Sequence, residues 1–133
     1  MHCRATLLLA SLSAIILGGC TNTSRTTHGT NSLKIYNAQH HRVYAATGQR
    51  SNTIVANIPQ DYHHLSNRKV PRMAKPSYRY VMHHARNDFT LTMQVYSNYH
   101  YAKLTGIPVV GSGLVKLTDK NFQKLNHPQP FTN

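Results

Sequence analysis

Glutamate is absent from this 133-residue chain, and three aspartates, Asp61, Asp88 and Asp119, stand against fifteen lysines and arginines, for a formal charge of +12. Long exposed helices gain from Glu placed four residues before Lys or Arg. That pairing is unavailable here, so helices should be few and short. The shortage of carboxylates also leaves few general bases and few groups to orient a catalytic histidine. Cysteine occurs only at positions 3 and 20. No apolar run approaches the about 20 residues that a membrane-spanning helix needs. The longest, residues 5–17 (ATLLLASLSAIIL), has 13. At this length one domain is expected.

That run follows Arg4 and ends at Gly18-Gly19, after which the chain turns polar at once. A positive start and a short apolar segment match a secretory signal. The alternative is a buried N-terminal helix, since Leu and Ala propagate helices well. Leu17-Gly18-Gly19-Cys20 resembles the lipobox of bacterial lipoproteins. The resemblance covers the first 20 residues and says nothing about the fold of the rest. It implies cleavage before Cys20, a covalent lipid on its sulfur and often a fatty acyl chain, such as palmitate, on the new amino group. Two or more chains anchor a protein stably. By the same resemblance Thr21 implies the periplasmic face of the outer membrane, if the cell is Gram-negative. Cys3 would leave with residues 1–19, and Cys20 would be blocked by lipid. Neither an intramolecular disulfide nor cysteine catalysis is then available.

Residues 20–32 continue as TNTSRTTHGTNS after the lipidated cysteine, with no large apolar side chain. They cannot bury enough surface to offset the entropy of ordering. They read as a flexible tether with a mean reach of about 20 Å, or else as a polar edge segment lying on the domain.

The domain is expected over residues 33–126, with 127–133 as a frayed tail. Its fold class is expected to be mainly β or α+β, a small antiparallel sheet with a short C-terminal helix. Strand candidates are residues 33–36, 42–46 and 53–58. Phe89, Leu91, Met93 and Val95 alternate with Thr90, Thr92 and Gln94, the period of a half-buried antiparallel strand. Residues 78–83 are its hairpin partner, turning near residues 85–88. Residues 99–101 fit a strand or a helical turn equally. Residues 107–110 and 114–117 flank Gly111-Ser112-Gly113 as a hairpin or bulged strand. Thr118-Asp119 is placed to cap a helix over 120–125. Between the strands, residues 59–77 carry Pro59, Pro71 and Pro76, and a long irregular loop of this kind is often functional.

Three groups of residues carry possible chemistry. Arg68, Lys69, Arg72, Lys75 and Arg79 lie in or just beyond the irregular segment, with Tyr62, Tyr78 and Tyr80 nearby. Cations interleaved with aromatics bind anionic partners. Export rules against nucleic acid and points to anionic lipid, lipopolysaccharide, a cell-wall polymer or an acidic envelope protein. The bland alternative is a solvated basic loop. Six histidines form adjacent pairs, His40-His41, His63-His64 and His83-His84. Imidazole suits Zn or Cu, but neighbours on a strand point to opposite faces, so one pair seldom supplies two ligands. Histidine also titrates near pH 6.5, so the charge of the mature domain, +11 from fourteen cations and three aspartates, would rise in acid. Last, Gly111-Ser112-Gly113 lacks the G-x-S-x-G pattern of a nucleophile elbow. The expectation is a lipid-anchored, non-enzymatic binding or assembly component without a cofactor. A His-pair metal-binding lipoprotein is the alternative, and a small hydrolase using Ser112 is the third option.

Overall fold

The alternation in residues 89–96 becomes literal in the computed structural model, which describes residues 29–58 and 64–133. Leu91, Met93 and Val95 are buried while Thr90 is exposed and Gln94 half-buried. Six strands form one antiparallel sheet: β1 (Ser32–Asn37), β2 (Arg42–Thr47), β3 (Pro76–His84), β4 (Phe89–Tyr96), β5 (Tyr99–Ile107) and β6 (Gly111–Lys116). Their order across the sheet is β2-β1-β3-β4-β5-β6. β3 to β6 are a meander of hairpins, and the β1–β2 hairpin is added at the β3 edge.

Two longer helices cover one face. α1 (Gly48–Ala56) packs on β1 and β2, and α2 (Asp119–Asn126) packs on β3, β4 and β5. Ile54, Phe122 and Leu125 join Leu33, Ile35, Tyr80, Met82, Leu91, Met93 and Leu104 in one buried cluster. Burying such side chains contributes about 1.5–3 kcal/mol each, which makes this layer the main source of stability. α2 begins as expected: the Thr118 hydroxyl accepts from the Asn121 N–H at 3.2 Å. At its other end the buried Tyr80 hydroxyl donates to the Leu125 carbonyl at 2.7 Å, satisfying one of the acceptors a helix leaves unpaired.

Three expectations change. The strand expected at 53–58 is part of α1 and its C-terminal turn. Ile54 and Ile58, both buried, are four residues apart, a spacing that suits one face of a strand or of a helix. Buried Ser51 extends the pattern to i, i+3, i+7 and decides for the helix; its hydroxyl donates to the Gly48 and Asn31 carbonyls. Residues 99–101 belong to β5, so the turn before β6 is 108–110 rather than Gly111-Ser112-Gly113. The expected frayed tail is instead a helical turn, α3 (Gln129–Thr132). Thr132 is buried, and its carbonyl accepts from Arg50 Nη2 at 2.9 Å, tying the C-terminus to α1.

Candidate anion-binding site

A strand shows successive side chains to opposite faces, so the core assignments above also fix what lies on the face without helices. The register aligns Tyr36, Arg79, Gln94, Lys103 and Leu114 in one row across the sheet. Lys34, Val81, Thr92, Thr105 and Ser112 form the next row, and Tyr101 pairs with Lys116 in a third. Lys34, Lys103 and Lys116 are exposed. No aspartate occupies any of these positions. Arg79 lies with its guanidinium 4.9 Å from the Tyr36 ring centre, a cation–π contact. Its buried Nε has no hydrogen-bond partner among the described residues.

Residues 64–75 give this face its shape. Ser66 bridges the outer edge of β6, exchanging backbone hydrogen bonds with Leu114 at 2.8 and 3.0 Å. Leu65 packs on the core side. It sits so close to the sheet that a side chain at Gly113 would place its Cβ 3.0 Å from Leu65 Cβ. The chain then travels to the β4–β5 turn. There the Lys75 N–H donates to Asn98 Oδ1 at 2.7 Å, and Asn98 Nδ2 donates to the Met73 carbonyl at 2.8 Å. Leu114, turned away from the core, is only 2% exposed.

Between this segment and the sheet lies a cleft of about 460 Å³, lined by Ser66, Arg68, Lys69, Lys103 and Ser112 among others. Two of its cations come from the crossing segment and one from β5. Ionic screening acts over about 8–10 Å at physiological salt, so three positive groups around one cleft sum their potentials there. No carboxylate or histidine lines it among the described residues. The arrangement attracts anions and offers hydroxyl donors beside the charges.

The basic residues expected from the sequence are thus divided. Arg68 and Lys69 are in the cleft. Arg72 and Lys75 follow on the exposed segment, and Arg79 lies on the same sheet face against Tyr36. Of the tyrosines named with them, Tyr80 is fully buried, Tyr78 packs against the core, and Tyr62 lies outside the described residues. Lys34, Lys103 and Lys116 were missed. Their signal was available as outward positions of alternating strands, but residues 99–107 did not declare themselves as a strand, and Lys34 and Lys116 are isolated cations in short segments.

The two pairs that lie wholly among the described residues, His40-His41 and His83-His84, do not come together. β1 starts opposite His83 and ends opposite Tyr78, so His40 and His41, in the turn after β1, are separated from His83 and His84 by the length of that strand, roughly 17–20 Å. His64 is exposed; His63 lies outside the described residues. No group of three or more His, Cys, Asp or Glu side chains converges among the described residues. His84 and His100 make ring contacts instead. His84 stacks on Phe89 at 4.5 Å, and this burial, followed by the charge of His83, holds its pKa below the ordinary value. His100 stacks on Phe122 at 3.9 Å and lies 3.5 Å from Asp119. Ser112 has Thr105 as its sheet neighbour, while Asp88 sits in the β3–β4 turn and Asp119 opens α2. Cys20 lies outside the described residues, and no described helix is long and apolar enough to cross a membrane.

No family model, curated protein or solved structure matches this chain.

Proposed function

We propose that this chain is a lipid-anchored, non-enzymatic component of the bacterial envelope that binds anionic envelope carbohydrate, of the lipopolysaccharide or cell-wall-polymer kind, on the helix-free face of its sheet. The observation that carries this reading is the cleft. Arg68 and Lys69 from one segment meet Lys103 from a strand, with no carboxylate lining it. Tyr36 and Tyr101 share that face as half-buried rings, which suits a sugar held beside a charged group. Attachment through Cys20 would keep the domain where such material is concentrated.

The test is co-sedimentation with isolated lipopolysaccharide or wall polymer at low salt. An exposed charge pair contributes about 0.2–1 kcal/mol. Replacing Arg68, Lys69 and Lys103 with Ser should therefore weaken binding about 3- to 150-fold and flatten its salt dependence. Lys120→Ser, on the helix layer, should leave it unchanged. Undiminished binding by the triple variant would overturn the assignment.

A further inference from the structure

The β5–β6 turn carries two of the four exposed large apolar side chains of the described domain, the others being Met73 at 84% and Val43 at 49%. Val109 is fully exposed and Val110 is 61% exposed, while Ile107 just before them is buried and roots the turn in the core. Val109 also holds φ +71°. A β-branched side chain resists that region, and such outliers persist only where the surroundings impose them. Here the turn is tight: the Val110 N–H donates to the Pro108 carbonyl at 2.9 Å and the Ser112 N–H to the Val110 carbonyl at 3.2 Å. These bonds shape a tight turn that turns Val109 wholly, and Val110 for the most part, toward solvent. Scattered surface apolar residues need no explanation, but two adjacent valines on a strained, projecting turn are a different case.

The position of the tip supplies the second observation. Ile107 pairs with Gly111, His84 with Phe89, and Ser32 with both Thr47 and His83. The β5–β6 tip, the β3–β4 turn and the start of β1 therefore lie at one end of the sheet. The chain enters the domain there and is pinned there. The Ala85 N–H donates to Asn31 Oδ1 at 2.8 Å, and the Gly48 N–H to the Asn31 carbonyl at 2.9 Å. Eleven residues separate Cys20 from Ser32; as the flexible tether expected from the sequence they would span about 20 Å on average. A lipid on Cys20 would hold this end, and not the end bearing His40 and His41, next to the bilayer. Exposed Arg86 stands in the neighbouring turn and Lys34 one row in. The single aspartate at this end among the described residues, Asp88, faces His83 at 4.0 Å.

We propose that the Pro108-Val109-Val110 tip is a membrane-contact wedge: it inserts into an anionic phospholipid surface and seats the domain end-on, leaving the basic cleft on the side of the domain open to a second ligand. The proposal rests on the lipid-anchor reading and goes beyond it, because a tether alone requires no contact between domain and lipid. Amphipathic contacts of this type combine apolar burial with attraction of cations to anionic headgroups.

The experiment uses the chain purified from its membrane, with the attached lipid verified by intact mass, and reconstituted into vesicles of phosphatidylglycerol and phosphatidylethanolamine. A polarity-sensitive fluorophore is placed through Val109→Cys, and a second preparation carries it through Val43→Cys, 49% exposed and near the far end of the sheet. The expected result is a blue-shifted emission at 109 that is quenched by nitroxide-labelled lipid, with a water-like emission at 43. Val110→Asp should reverse most of the shift at 109. Water-like emission at 109, or equal shifts at both positions, overturns the wedge. The Arg68, Lys69, Lys103→Ser variant separates this outcome from that of the cleft. Loss of polymer binding with the 109 probe still in lipid retains the wedge, and the reverse pattern discards the wedge while the cleft stands.

Discussion

Replacing Tyr80 with Phe tests the link between sheet and helix layer in two pH regimes at once. Tyr80 is fully buried and its hydroxyl donates to the Leu125 carbonyl at 2.7 Å. The change removes one hydrogen bond and strands a buried acceptor near the end of α2, costing about 1–2 kcal/mol at pH 7. Burial, with a smaller contribution from Tyr78, raises the Tyr80 pKa well above the ordinary tyrosine value. The native state therefore keeps its proton while the unfolded chain releases it above about pH 10. A group with a raised native pKa contributes stability that is complete below the unfolded pKa and is lost as the pH rises beyond it. The wild type should lose about 1.4 kcal/mol per pH unit above 10 from this residue, and the Phe variant should lose none of it. The stability gap between the two proteins should be constant from pH 7 to 9, shrink above pH 10 and be near zero by about pH 11. Urea unfolding curves at half-unit intervals would measure it. A gap that stays constant through pH 11 would refute the claim that Tyr80 is buried un-ionised against Leu125.

Two further outcomes follow from close contacts. Gly106 has φ +82°, and a Cβ there would fall 2.1 Å from the Thr90 carbonyl oxygen; Gly106→Ala should cost about 3 kcal/mol or more, visible as a drop in Tm of over 10 °C. His84 should titrate below its ordinary value in an NMR pH series because it is buried on Phe89. Its neutral form is the one the fold favours, so its contribution is present above the unfolded pKa near 6.5 and declines as the pH falls below it; His84→Leu should lessen the loss of stability between pH 6.5 and 5.

The legible parts of this protein are those with local causes. The β3–β4 hairpin could be read because four apolar residues alternate with three polar ones over residues 89–95. The cap of α2 could be read because Thr118 needs only Asn121, three residues on. The failures have a cause in common. Ile54 and Ile58 suited a strand as well as a helix, and Tyr99-His100-Tyr101 suited either. In both cases long-range packing decided: α1 lies on β1 and β2, and β5 is held between β4 and β6. The tail was expected to fray as a chain end, yet Arg50, far away in sequence, fastens it.

By itself the amino-acid sequence determined the charge imbalance, the shortness of the helices, the faces of the clearest strands and the lipobox resemblance at Cys20. These depend on composition, on period and on neighbours a few residues apart. Only the tertiary structure decided which cations share a cleft, that His40-His41 and His83-His84 lie at opposite ends of a strand, and that Val109 projects at the end where the chain enters. Alternation tells which face a side chain takes but not which strand lies beside it. That choice belongs to the register and order of the whole sheet, which are set by burying the core as one cluster.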